Sequence, residues 1–285
     1  MFDIAKFGRK KWVLVQLVFS VAMIVETKLI LNKGVHPLVM TWEILIVAGA
    51  ILSILMIKRG EKFRRKEIRE MFLPGVLGGG LAYWLGFVGL SLTSATAYAF
   101  LTKLTTVFTC LLAYFVLHEK VGKRKLSALV LILIGGYIMS TNGNGLILGK
   151  GEMFVALSSF CYATSYVIAS RLLKKMSVLT IATYRTLFGA LVLGLITLLQ
   201  GKMMIWIDLQ IIIAGVIVAI SVLSAHKVMR VASASYMVLM SSMIPIATAV
   251  IMFFGYGEKM TAFQMGGAIA IISGTLLTEL AFRKI

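Results

Sequence analysis

Lys103 stands eight residues inside an apolar run that begins at Ala95 and ends at Leu117, and it is the only charged residue in that run. A charge at the centre of a membrane-spanning helix costs about 2.5 to 3.5 kcal/mol on insertion scales, so such groups face protein or a wet cavity. Glu26, Glu43 and Arg185 fall inside apolar runs in the same way. With the orientation that the basic loops set, and about 1.5 Å per helical residue, Glu26 lies about 8 Å from an outer helix end, Glu43 about 9 Å and Lys103 about 12 Å. Arg185 lies about 12 Å from an inner end. One chemistry open to these groups is recognition, in which Lys103 receives an anionic group of a solute and Glu26 or Glu43 receives a cationic group or a proton. The competing role is structural: a glutamate neutralises Lys103 as an internal pair, and Arg185 caps helix carbonyls or snorkels to the surface. For Glu43 and Arg185 a structural role is favoured, with coupling or gating as the functional alternative.

Aromatic and hydroxyl residues supply the rest of a candidate binding surface. Tyr83 and Trp84, Tyr98, Tyr162 and Tyr166, and Tyr236 lie in four different apolar runs, and Tyr162 and Tyr166, four apart, share a helix face. Trp12, Trp42 and Trp206 read instead as an interfacial belt, and for Tyr98 and Tyr236, near the starts of their runs, belt and cavity are equally open. Thr102, Thr105, Thr106 and Thr109 in one run, and Ser241, Ser242 and Thr248 in another, either bind polar groups of a solute or let helices approach closely. Gly78, Gly79 and Gly80 favour close packing, with a flexible point as the alternative.

Catalysis finds little support in the same residues. His36, His118 and His226 all fall at run ends, away from any carboxylate or serine at useful spacing. Cys110 and Cys161 lie inside apolar runs without disulfide or metal-ligand spacing, and no phosphate-binding glycine loop is present. The chain therefore reads as a non-enzyme with neither metal nor cofactor.

The elements that must position these residues are membrane helices. Of the 285 residues 60% are hydrophobic and 14% charged, against about a quarter charged in soluble domains. Ten runs have the length to cross the bilayer: 12–31, 37–57, 71–90, 95–117, 126–140, 151–169, 177–199, 207–223, 232–254 and 261–282. The first run has no small-x-small cleavage site around Val25-Glu26-Thr27-Lys28 and reads as an uncleaved helix. Of the Lys and Arg residues, 22 lie in the two termini and alternate loops and 4 in the remaining loops. That split places both termini in the cytoplasm of a multi-pass protein of the cell (inner) membrane. It also accounts for the net charge of +18 without a nucleic-acid partner.

The chain repeats itself. A constant shift of 139 residues, without a gap, carries Ser94-Ala95-Thr96 onto Ser233-Ala234-Ser235, Thr109 onto Thr248, Glu119-Lys120 onto Glu258-Lys259 and Gly135 onto Gly274. Thr41-Trp42-Glu43 and Thr183-Tyr184-Arg185 match separately. Residues 1–146 and 147–285 thus form two five-helix repeats, and an odd number of spans inverts the second in the membrane. The predicted class is an all-α polytopic membrane protein of ten transmembrane helices in two inverted repeats.

With Glu119 and Glu258 closing the fourth and ninth spans, Gly135, Gly266 and Gly274 following, Pro245 in the ninth and Arg185 early in the seventh, this arrangement resembles the drug/metabolite transporter superfamily, and within it the EamA-like family. The resemblance implies a central cavity among helices one, three, four, six, eight and nine, with five and ten peripheral. It also implies alternating access to that cavity and a small-molecule substrate, a polar or amphipathic metabolite such as an amino acid or related compound, carried outward. Two positions depart from the pattern: Thr106 stands opposite Pro245, and Glu43 opposite Arg185. Any energy source would be a gradient of protons or another ion. A non-transporting membrane scaffold is the alternative from another class.

Overall fold

The computed structural model describes residues 4–118, 122–141, 149–201, 208–257 and 261–282, and all regular structure among them is helical. In chain order the helices are α1 (Ile4–Asn32), α2 (Pro37–Lys58), α3 (Arg65–Pro74), a π-helical segment (Gly75–Leu81), α4 (Ala82–Leu92), α5 (Ala95–Leu101), α6 (Leu104–Leu117) and α7 (Lys123–Thr141). They continue as α8 (Lys150–Leu172), α9 (Val178–Leu199), α10 (Leu209–Val231), α11 (Ala234–Met240), a 3-10 turn (Ser241–Met243), α12 (Ile244–Tyr256) and α13 (Ala262–Phe282). Eight stretches of described helix are long and apolar enough to cross a bilayer, among them Arg65–Leu92, Ala95–Leu117 and Ala234–Gly255, which run through internal breaks. α13 adds the shorter apolar stretch Met265–Leu277. The predicted fifth span lies in α7, which opens on Lys123, Arg124 and Lys125. Glu119, Lys120, Glu258, Lys259 and Trp206 fall outside the described residues.

The first part of the chain packs mainly on the second. α1 lies against α10, α2 against α9, α4 against α8, α5 and α6 against α12 and α11, and α7 against α13. Glycine sets the distance at two of these seams. A Cβ on Gly135 would meet Gly267 O at 2.6 Å, and one on Gly274 would meet Ala128 O at 2.8 Å, so the backbones of α7 and α13 touch at repeat-related positions. The large apolar side chains on the outside, such as Leu14, Leu191, Phe254 and Ile269, are more than 60% exposed, a surface suited to lipid rather than water.

The two interrupted helices, α5–α6 and α11–α12, are built alike from local signals. Ser94 Oγ accepts from Ala97 N at 3.1 Å and Ser233 Oγ from Tyr236 N at 3.1 Å, so the repeated serines are the N-caps. Each helix tightens at the same place, Thr102–Lys103 in one and Ser241–Met243 in the other. Each closes on a left-handed residue, His118 at φ 54° and its repeat counterpart Gly257 at φ 71°.

Candidate functional site

The two breaks meet at a central cavity of about 110 Å³. Its walls come from α1, α4, α5–α6, α8, α10 and α11–α12, and Arg185 reaches it from α9. The volume is below the roughly 300 to 1,000 Å³ usual for small-molecule sites, so a metabolite of more than a few atoms requires the helices around it to part.

At the second break, proline chemistry exposes a carbonyl. Pro245 has no N–H to donate to Ser241 O, four residues earlier. The 3-10 turn brings Ile244 N–H onto that oxygen instead, and Lys103 Nζ donates to it from the first break at 2.7 Å. Lys103 is 6% exposed. The neighbouring Thr106 Oγ1 donates to Val238 O at 3.3 Å, a second link between the breaks.

Arg185 occupies a different wall. Its Nη2 donates to Gly78 O, at 2.6 Å, in the π-helical segment that follows Pro74. Ser165 Oγ donates to Pro74 O at 2.8 Å, so α8 and α9 each supply a side chain to a carbonyl of the distorted third span. Glycine makes the approach possible: a Cβ on Gly79 would overlap Arg185 O, and one on Gly78 would overlap Ser165 Oγ. The guanidinium carbon stands 5.6 Å from the Tyr83 ring centroid, 5.5 Å from Tyr162 and 5.4 Å from Tyr166. Such distances suit cation–π attraction, which strengthens where water is excluded. Tyr162 and Tyr166 stack at 5.8 Å on the face their spacing gives them, and Tyr83 meets Tyr162 edge-on at 5.4 Å.

A third wall is a polar seam that sequence reasoning missed. Gln16 Nε2 donates to Ser241 Oγ at 3.0 Å, Ser241 Oγ donates to Met237 O at 2.8 Å, and Ser20 and Ser221 hydroxyls lie 3.1 Å apart. The available signal was Gln16 and Ser20, one turn apart on a single face of the otherwise apolar stretch 12–25.

Of the residues singled out in the sequence, Tyr83, Tyr98, Lys103, Tyr162, Tyr166, Arg185 and Ser241 line the cavity together, with Thr102, Thr105 and Thr106. Trp84, Glu26 and Glu43 are among those that lie elsewhere. Trp84, one residue past Tyr83 and thus turned about 100° around the helix, packs against the apolar core. Glu26 lies in a groove with Leu17, Val18 and Ile251, and Glu43 is fully buried on α2, which packs between α9 and α10. Depth along a helix placed Glu26, Glu43 and Lys103 on one level; the direction around the helix separates them. Lys28 donates to Leu90 O at 3.0 Å and Thr93 O at 2.6 Å, capping the end of α4.

These features define the class: a multi-pass helical membrane protein with a polar cavity at crossed, interrupted helices. The EamA-like transporter family matches the chain twice, over residues 11–141 and 149–280, and the chain belongs to that family. It is 25% identical over 249 residues to the uncharacterized transporter YyaM of Bacillus subtilis (strain 168), covering 82% of this chain and 81% of that protein. A solved crystal structure of a protein 16% identical superposes with a TM-score of 0.74 over 95% of this chain and 99% of that one, a likeness of fold. The protein is a membrane transporter rather than an enzyme, with a small-molecule substrate and the bilayer as its surroundings.

Proposed function

We propose that this transporter works by alternating access in the cell membrane, with ten spans in two inverted halves, 1–146 and 147–285, and both termini in the cytoplasm. It carries a small polar or amphipathic metabolite outward, amino acids and related compounds being the class the family resemblance suggests. The observation that carries the reading is the pair of helix breaks, 139 residues apart in sequence, that meet at one polar cavity. Interrupted helices place backbone carbonyls and side-chain donors at mid-membrane, where a solute must shed its water. The packing supports exchange of the halves: when each helix is replaced by its repeat partner, α1 on α10 becomes α8 on α4, α5 on α12 becomes α11 on α6, and α2 on α9 and α7 on α13 map onto themselves. Lys103, Tyr83, Tyr98, Tyr162, Tyr166 and Ser241 are then substrate-binding residues, and Arg185 a gating residue in the wall between α4 and α8.

Flux tests the reading. Purified protein in proteoliposomes, loaded with labelled metabolites, should release at least one of them faster than protein-free vesicles and show counterflow against the unlabelled compound. Absence of counterflow across a broad set of polar metabolites would leave the cavity without a carrier role.

A further inference from the structure

Among the described residues lining the cavity, Lys103 and Arg185 are the charged ones, and neither has a carboxylate within ion-pair distance. Both are withdrawn from water, Lys103 at 6% exposure and Arg185 at 1%. A buried cation without a counter-ion costs several kcal/mol, and carbonyl bonds and tyrosine rings offset part of that. Donors remain on both groups. Lys103 has three N–H bonds and directs one to Ser241 O; Arg185 has five, directs one to Gly78 O, and its buried Nε has no hydrogen-bond partner.

We infer that the cavity selects small organic carboxylates, the acid group being held by Lys103 and Arg185; this rests on the carrier reading and names the substrate class of that same cavity. Two unneutralised cations lining one cavity complement an oxyanion and disfavour a ligand whose only charge is an amine. A planar carboxylate takes N–H bonds from guanidinium and ammonium in the little room left by three tyrosine rings, where a tetrahedral phosphate needs more space and more donors. Ser20 and Ser221, on the polar seam of the cavity wall, can serve hydroxyl or amide substituents of the acid. A carboxylate arriving at Lys103 also competes with Ser241 O for the ammonium. Binding would therefore loosen the link between the two breaks, which is the contact that must change when the halves exchange.

Binding is measured on the full-length protein in detergent, by calorimetry and thermal stabilisation. The probes are small carboxylic acids, each paired with its own primary amide, together with primary amines and phosphate monoesters of matching size. At least one acid should bind, and its amide about tenfold more weakly or worse, the effect expected for losing a charge-assisted hydrogen bond. Lys103→Gln and Arg185→Gln should each raise the Kd of that acid about tenfold and so narrow the gap between acid and amide. Equal affinity for acid and amide, a preference for amines or phosphate esters, or no acid binding overturns the inference, as does unchanged acid affinity in both variants. The comparison of acid with amide needs no variant and stands if the substituted proteins fail to fold. Because binding is read without flux, a protein that binds acids and carries none would keep the site and lose the carrier reading.

Discussion

The fourth and ninth spans share their scaffold and differ in the chemistry at the break. Both start on a serine cap, tighten at equivalent residues and end on a left-handed residue. In the first, the residue opposite Ser242 is Lys103 and the residue opposite Pro245 is Thr106. The two differences belong together, since the proline withholds a donor from Ser241 O and the lysine supplies one. The lesson is that repeat symmetry builds the place, and the positions that break the symmetry carry the chemistry. Lys103 thus has two roles in this account, holding the second break together and offering charge to the cavity.

Separating those roles sharpens the comparison most. Lys103→Met should lower flux by about a hundredfold or more, the scale set by removing one member of a buried charged contact. The same change should cost about 1 to 3 kcal/mol in stability through the lost bond to Ser241 O, read as a fall in melting temperature in detergent. Pro245→Ala returns an N–H to that carbonyl, so in its background the stability cost of Lys103→Met should shrink by about 1 kcal/mol while flux stays low. Recovery of both would reduce Lys103 to a structural part. Smaller effects test the shared scaffold: Gly257→Ala, forced to φ 71°, should destabilise by about 1 kcal/mol, whereas His118→Gly at φ 54° should be neutral or stabilising by up to about 1 kcal/mol. A stabilising Gly257→Ala or a destabilising His118→Gly would mean the two helix ends do not share a geometry.

Topology offers a coarser check on the same pairing. Single cysteines replacing Arg64 and Arg124 should react with impermeant reagents only from the cytoplasmic face, and one replacing Lys150 only from outside. Labelling of all three from one face would undo the inversion of the halves.

Much of the frame was legible because repeated residues mark repeated backbone events. Ser94 and Ser233 match because each caps a helix, and Gly135 and Gly274 because α7 and α13 touch there. Tyr162 and Tyr166 share a face by period alone. What stayed hidden depends on which way a helix faces. Apolar runs carry almost no amphipathic signal in lipid, so the outward turn of Glu26 could not be read from position, and the inward turn of Gln16 showed only in its one-turn spacing from Ser20. The break at Thr102–Lys103 has no proline to announce it, and the reach of Arg185 into the cavity depends on glycines of another helix, Gly78 and Gly79.

The central claim is that the two halves exchange around the cavity, and access to a buried lining residue tests it most directly. Ala225, 5% exposed on the cavity wall, becomes the sole reactive thiol as Ala225→Cys with Cys110 and Cys161 replaced by alanine. In sealed vesicles of known orientation, an impermeant thiol reagent should label it from either face, with the two rates shifting in opposite directions when substrate is added to one side. Labelling from a single face under all conditions would contradict alternating access.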